Sequence, residues 1–324
     1  MSRGNRSEAI FQDEQDLETF ERTLGEACEK TGFVVLAYTL MYNHYHIVLQ
    51  TPEANLVAGM QWLQGTYTQR YNKRHGAVGH LFQGRYKSIP VDGRDSAYLQ
   101  TVCNYVHLNP ARAGLIGGET GYRVADYPWS SSWYLDKAPS NDPEWLDLKR
   151  ICDLHVPYSQ GSTLRLAYLS FLDSKVQQER DQESEPELYG QLRRGWAFGG
   201  DSFKETVKEK MADTIRGFKR SSHTGIARRA HDEAAALELI RLGLDTLDLR
   251  EEELRSMKKN HLKKYLIAWL VRRKTPMKLD WIGEKLQMGS RANVSMGVKT
   301  IEESTAQDIE EARNRLLELY NSAG

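Results

Sequence analysis

Asn43-His44-Tyr45-His46-Ile47-Val48-Leu49 is the stretch from which the fold can be read. Two histidines flank one bulky apolar residue, inside a run that otherwise reads as a buried β-strand. Side chains alternate across the two faces of a strand. His44, His46 and Val48 therefore point one way, and Tyr45, Ile47 and Leu49 the other. Two imidazoles side by side on a rigid element are half of a metal site. From this short motif alone, two polar residues on the wet face of an edge strand would look the same.

About sixty residues downstream lies Asn104-Tyr105-Val106-His107-Leu108-Asn109-Pro110. Ser96 to Leu108 reads as a helix. Asp95 or Ser96 can cap it, and Leu99, Val102, Cys103 and Val106 recur at core spacing. Pro110 disfavours helical geometry at Asn109 and ends it. Tyr105 and Asn109 are four apart and share a face. Placed over His44 and His46, that face would add a phenol and an amide oxygen to two imidazoles. Such a set can hold a divalent ion with a nucleophile beside it. An interfacial tyrosine with Asn109 as helix C-cap is the plainer alternative.

Around these motifs the elements follow in order. Asp13–Lys30 reads as a helix, with Leu17, Phe20, Leu24, Ala27 and Cys28 on one side. Phe33–Tyr38 and Asn43–Leu49 read as two strands of a hairpin. Asn55 caps a helix running to Arg74, with Leu56, Met60, Leu63 and Tyr67 inward. Leu81–Val91 reads as a strand, and the Tyr105 helix follows. One further strand ahead of the first helix would complete βαββαβ, the ferredoxin-like split unit. The fold class expected is α+β, with an all-α C-terminal domain after it.

The chain has 324 residues, 40% hydrophobic and 27% charged, which suits two globular domains. Net charge is zero but unevenly spread. Gly65–Arg112 holds seven Lys/Arg against two Asp, and Arg255–Lys299 holds twelve against Asp280 and Glu284. Two basic regions in a neutral whole point to polyanion partners. Tyr67, Tyr71, Phe82 and Tyr86 interleave with Arg70, Lys73, Arg74, Arg85 and Lys87, the mixture that stacked single strands need. Tyr67 and Phe82 are expected in the core. Three scattered cysteines suggest neither disulfides nor a zinc knuckle. No signal peptide and no membrane-length apolar run is visible, so a cytoplasmic protein, nucleoid-associated when bound to DNA, is expected.

Met1-Ser2-Arg3-Gly4-Asn5-Arg6, Leu40-Met41-Tyr42-Asn43-His44-Tyr45-His46, Gly79-His80-Leu81-Phe82-Gln83-Gly84-Arg85-Tyr86-Lys87 and Tyr105-Val106-His107-Leu108-Asn109-Pro110-Ala111-Arg112-Ala113-Gly114 together resemble the single-tyrosine HUH transposases, in their REP-associated branch. The resemblance runs from Met1 to about Trp133. It implies a ferredoxin-like core whose first strand is truncated here. It also implies cleavage of single-stranded hairpin DNA from repetitive palindromic elements through a 5′-phosphotyrosine. Carried over, Tyr105 is the nucleophile, and His44, His46 and Asn109 hold Mg²⁺ or Mn²⁺. Arg3, Arg6, Arg70, Lys73, Arg74, Arg85, Lys87 and Arg112 are expected on the DNA. A regulator that only binds DNA is the alternative reading.

The C-terminal part reads as helices throughout, among them His231–Leu242 and Leu262–Val271. Leu279–Met288, capped by Asp280, a Gly289-Ser290 turn, and a helix from Arg291 to Thr300 resemble a helix-turn-helix. Arg291, Asn293 and Lys299 would then face duplex DNA, with Val294 and Val298 inward. The expected division is a catalytic domain at 1–138, a partly helical connector at 139–220 and a DNA-binding domain at 221–324, in a monomer or homodimer.

Overall fold

A computed structural model describes residues 1–155, 162–180, 189–190, 192, 195–217 and 223–323. The expected loop Pro157–Gly161, much of the acidic stretch Gln177–Glu187 and the 220/221 boundary lie outside the described residues. The chain divides into two compact units. One comprises 1–28, 32–52 and 60–220, the other 29–31, 53–59 and 221–324. The stretch 139–220 therefore clusters with the first unit.

In that unit β2 (Val34–Met41) and β3 (His44–Gln50) form an antiparallel hairpin, Met41 opposite His44 and Thr39 opposite His46. Tyr42 and Asn43 make the turn. β1 is only Ser2–Arg3; it pairs antiparallel with the other edge of β3, Ser2 opposite Tyr45 and Arg3 opposite His44. The order is β1-β3-β2, so the histidine strand is central.

The strand expected at Leu81–Val91 is not formed. Single bridges remain, Gly4 with Phe82 and Val91 with Phe198. Gly84 turns into the left-handed region (φ 68°), which breaks the extended run after Phe82. Pro90 offers no N–H to a ladder. The ferredoxin-like expectation thus reduces to three strands with helices. On the outer side of β2, Ser130 bridges Thr39 and Leu146 bridges Val35.

α1 (Glu14–Thr31) starts at Asp13, whose carboxylate accepts from the Asp16 N–H, and ends at Gly32 with φ 69°. α2 (Leu56–His75) follows the hairpin. The side chain of Asn55, expected as its cap, donates instead to the Thr31 carbonyl (2.8 Å). Both helices cover the Tyr45 face of the sheet. Phe20 packs on Tyr45 and on Tyr67, with ring centroids 4.7 and 5.0 Å apart. Tyr67 and Phe82 are core, as expected, and Tyr71 joins them. Period-two alternation leaves the His44/His46 face for the other side of the sheet. There lie α3 (Ser96–His107), capped by Asp95, and the short α4 (Asn109–Arg112). α5 (Leu148–His155), α6 (Ser162–Arg180) and α7 (Asp201–Gly217) complete the unit.

The second unit packs α8 (His223–Thr246), α9 (Glu253–Ser256), α10 (Leu262–Lys274), α11 (Leu279–Lys285), α12 (Arg291–Glu303) and α13 (Gln307–Ala323). Tyr265 to Val271 of α10 are all buried at its centre. Lys264 is buried beside them; its Nζ donates to the carbonyls of Leu254 and Gln287 at 2.7 and 3.0 Å. α11 is flanked by Lys278 with no side-chain cap, and Asp280 lies in its first turn rather than capping it. Gln287 (φ 53°) and Gly289 (φ 85°) make the turn, and Ser290 caps α12. Gly297 lets α12 lie against α10, since a Cβ there would come within 2.3 Å of the Tyr265 ring. Gly297→Ala should therefore destabilise this unit by ~1–3 kcal/mol. A thermal melt in which the variant matched the parent would disprove that packing argument.

Candidate active site

The hairpin register sets the site. His44 and His46 stand on one face of β3 with ring centroids 5.1 Å apart. His44 Nδ1 lies 2.8 Å from Asn43 Oδ1, which can only accept, so Nδ1 carries the proton. Asn43 is itself oriented by donating from Nδ2 to the Ser7 carbonyl (3.0 Å). This chain leaves His44 Nε2 as the lone-pair nitrogen, the arrangement that orients metal-binding imidazoles. Burial first, then the positive Arg3 opposite it, pulls His44 down to about 4, so the ring is neutral at pH 7.

α3 brings Tyr105 to the same place. Its ring meets His46 edge to face, centroids 5.7 Å apart. Thr39 of β2 fastens the helix end to the sheet by donating from Oγ1 to the Val106 carbonyl (2.8 Å). Leu108 ends α3 in the bridge region, and Asn109 opens α4 with Pro110 in its first turn. Asn109 thus does not continue the Tyr105 helix face as the sequence suggested. It stays beside Tyr105 because its Nδ2 donates to the Tyr105 carbonyl (2.8 Å).

Behind α3 lies a buried polar network. His107 is completely buried, with Nδ1 2.9 Å from the Tyr168 hydroxyl and Nε2 2.7 Å from Ser131 Oγ. Tyr168 donates to Asn104 Oδ1 (3.0 Å) and stacks on His155.

The residues expected as a donor set are two imidazoles on β3 and one carboxamide at the start of α4. Among the described residues no group of three or more His, Cys, Asp and Glu could hold a metal ion. Two imidazoles with an amide oxygen still suit a divalent ion of the nitrogen- and oxygen-binding kind.

The basic residues divide. Arg3 shares the His44 face, and it, Arg6, Arg85 and Lys87 are exposed. The Gln83 N–H donates to the Arg3 carbonyl (2.9 Å), which runs the Arg85 segment alongside β1. Lys73 is exposed at the end of α2. Arg70 and Arg74, expected on DNA, are engaged instead. Arg70 pairs with Glu26 (2.9 Å), and Arg74 with Asp13 and Asp16 (2.5 and 2.6 Å). Arg112 is buried in an ion pair with Glu179 and donates to the Tyr105 carbonyl. In the second unit Arg291 and Lys299 are exposed on α12, Lys299 near Glu303 (3.6 Å). Asn293 is not free for DNA, because its amide bridges the Lys259 and Met288 carbonyls and accepts from Tyr265.

Sequence reasoning missed Asn43, Glu179 and Tyr189. Asn43 adjoins the motif and could have been found as a side chain next to a ligand. The other two carry no local signal, standing more than sixty residues from Tyr105 in the chain.

No helix among the described residues is long and apolar enough to cross a membrane. No curated protein and no solved structure matches the chain. Residues 1–109, which carry His44, His46, Tyr105 and Asn109, match the model of the IS200-like transposase family, and over that stretch the chain is similar to those transposases.

Proposed function

We propose that this protein is a transposase-like nickase and strand transferase that cuts single-stranded hairpin DNA. The observation that carries the reading is the meeting of Tyr105 with the His44/His46 face. The Tyr105 ring meets His46 edge to face, and His46 stands beside His44. In-line attack by its oxygen on a phosphodiester forms the Tyr105 Oη–P bond as the P–O3′ bond breaks. The phenol gives up its proton and the departing 3′ oxygen takes one up, so charge and atoms balance. The bond energy is retained in the 5′-phosphotyrosine, and a second strand's 3′-hydroxyl can reverse the step and rejoin DNA. His44, His46 and Asn109 would hold Mg²⁺ or Mn²⁺, which supplies charge neutralisation at the scissile phosphate. Arg3, Arg6, Arg85 and Lys87 line the same edge and hold the incoming backbone.

The test is direct. Full-length protein with labelled palindromic hairpin DNA and Mn²⁺ should yield an SDS-stable protein–DNA adduct, and EDTA should prevent it. Failure to form any adduct over a range of hairpins, with DNA binding intact, would leave a nucleic-acid-binding regulator in its place.

The second unit supports duplex binding in the same protein. α11, its turn and α12 present Arg291 and Lys299 on one exposed face, the arrangement that a recognition helix requires. Arg291→Ala with Lys299→Ala should weaken duplex binding and reduce the salt slope by about two. A titration at several salt concentrations reads both, and an unchanged slope would remove these residues from the interface.

A further inference from the structure

Residues from beyond position 109 meet the Tyr105 ring as one cluster. The Arg112 guanidinium lies over the Tyr105 ring, 4.2 Å from its centroid, and donates to the Tyr105 carbonyl. Glu179 at the end of α6 pairs with Arg112, and both side chains are buried (7 and 8% exposed). Tyr189 packs edge-on against Tyr105 with centroids 5.0 Å apart, and Arg112 also lies 5.1 Å from the Tyr189 ring. The Tyr189 hydroxyl donates to the other oxygen of Glu179 (3.1 Å). Burial, then Glu179, pushes the Tyr189 phenol up to about 12, so it remains a proton donor and not a competing nucleophile. One carboxylate therefore fixes both groups that flank Tyr105.

We infer that Arg112 is a positioning residue for Tyr105, held in place by Glu179 and Tyr189, so that residues beyond 109 complete the nicking site. The inference rests on the nicking function proposed above. A guanidinium over an aromatic face is attracted to the ring's electron density. That density grows as the phenol becomes a phenolate, so the contact strengthens along the attack. A preorganised charge of this kind acts on the rate rather than on substrate affinity. The buried ion pair holds the charge where an exposed arginine would swing away. Arg112 therefore serves Tyr105 and is not a contact to the DNA backbone.

The experiment compares wild type with Glu179→Gln, Tyr189→Phe, and the double variant Arg112→Met with Glu179→Gln. The double variant removes both charges together and leaves no lone buried ion if Arg112→Met alone does not fold. Single-turnover adduct formation with Mn²⁺ and hairpin DNA should fall ~10- to 100-fold in the double variant, with the hairpin Kd within twofold of wild type. Arg74→Gln, which breaks a remote arginine pair, serves as the control for lost ion pairing alone. Equal adduct rates, or a loss confined to Kd, would overturn the inference.

A second readout needs no DNA. Nitration of Tyr105 by tetranitromethane, read by peptide mass spectrometry against the exposed Tyr42, should rise severalfold in Glu179→Gln and Tyr189→Phe. Unchanged nitration would show that no clamp exists. Altered nitration in a wild-type protein that forms no adduct would instead refute the nicking function and keep the packing.

Discussion

Tyr105→Phe is expected to abolish the covalent adduct, a fall of at least ~10³-fold, while leaving hairpin affinity and melting temperature near wild type. The structure explains why the two effects separate. The ring of Tyr105 holds the packing: it meets His46, Tyr189 and the Arg112 guanidinium. Its backbone carbonyl holds Asn109 and Arg112. Phenylalanine retains the ring and the carbonyl and loses only the oxygen that attacks phosphorus. The basic edge of Arg3, Arg6, Arg85 and Lys87 is untouched, so the hairpin should still bind. Nicking of labelled hairpin DNA by the variant with divalent metal would show that another group is the nucleophile.

The next largest effect expected is acid lability traced to His107. Its ring is completely buried, and that burial, followed by the charge of His155, pulls it down to about 3. An unfolded histidine titrates near about 6.5. Between these values the unfolded chain binds a proton that the folded protein refuses. The stabilisation is therefore present above about pH 6.5 and is lost as pH falls toward 3. The slope is about 1.4 kcal/mol per pH unit for one proton, and the full loss is roughly 5 kcal/mol. His155, lowered to about 4 by its own burial, acts in the same direction. Urea unfolding at pH 4.5, 5.5 and 6.5 should give a clearly shallower dependence in His107→Gln than in wild type. Parallel curves would mean that another group governs acid unfolding. The loss should also reach the site, because His107 lies between Tyr105 and Asn109 on the segment that carries both.

Particular residues show where the sequence was readable. Alternation in His44–Val48 is a period-two pattern, and it placed the two imidazoles on one face, with Tyr45 in the core. The helix carrying Tyr105 was legible from Asp95 and the spacing of Leu99, Val102, Cys103 and Val106, all buried where expected. Gly289 and Ser290 marked the turn between α11 and α12 just as directly. Leu81–Val91 misled because it is rich in aromatic and branched apolar residues, yet Gly84 and Pro90 interrupt the backbone hydrogen bonds that a strand needs. Asn293 misled because helix spacing gives a direction but no partner, and here Tyr265 and two carbonyls claim the amide.

The basic residues separate the two kinds of knowledge most clearly. The seven cations between Gly65 and Arg112 look alike in one dimension. Packing assigns Arg70 and Arg74 to carboxylates on α1, and Arg112 to Glu179 beside Tyr105, while Arg85 and Lys87 stay exposed. Local pattern by itself determined that the two histidines share a strand face and that Tyr105 stands on a helix, because dihedral periodicity and capping act over a few residues. Only the tertiary structure decided which charges are buried in ion pairs, which stay exposed, and what grips Tyr105. An ion pair or a ring contact depends on distance in space, and Glu179 and Tyr189 come within reach of Tyr105 only when the chain folds.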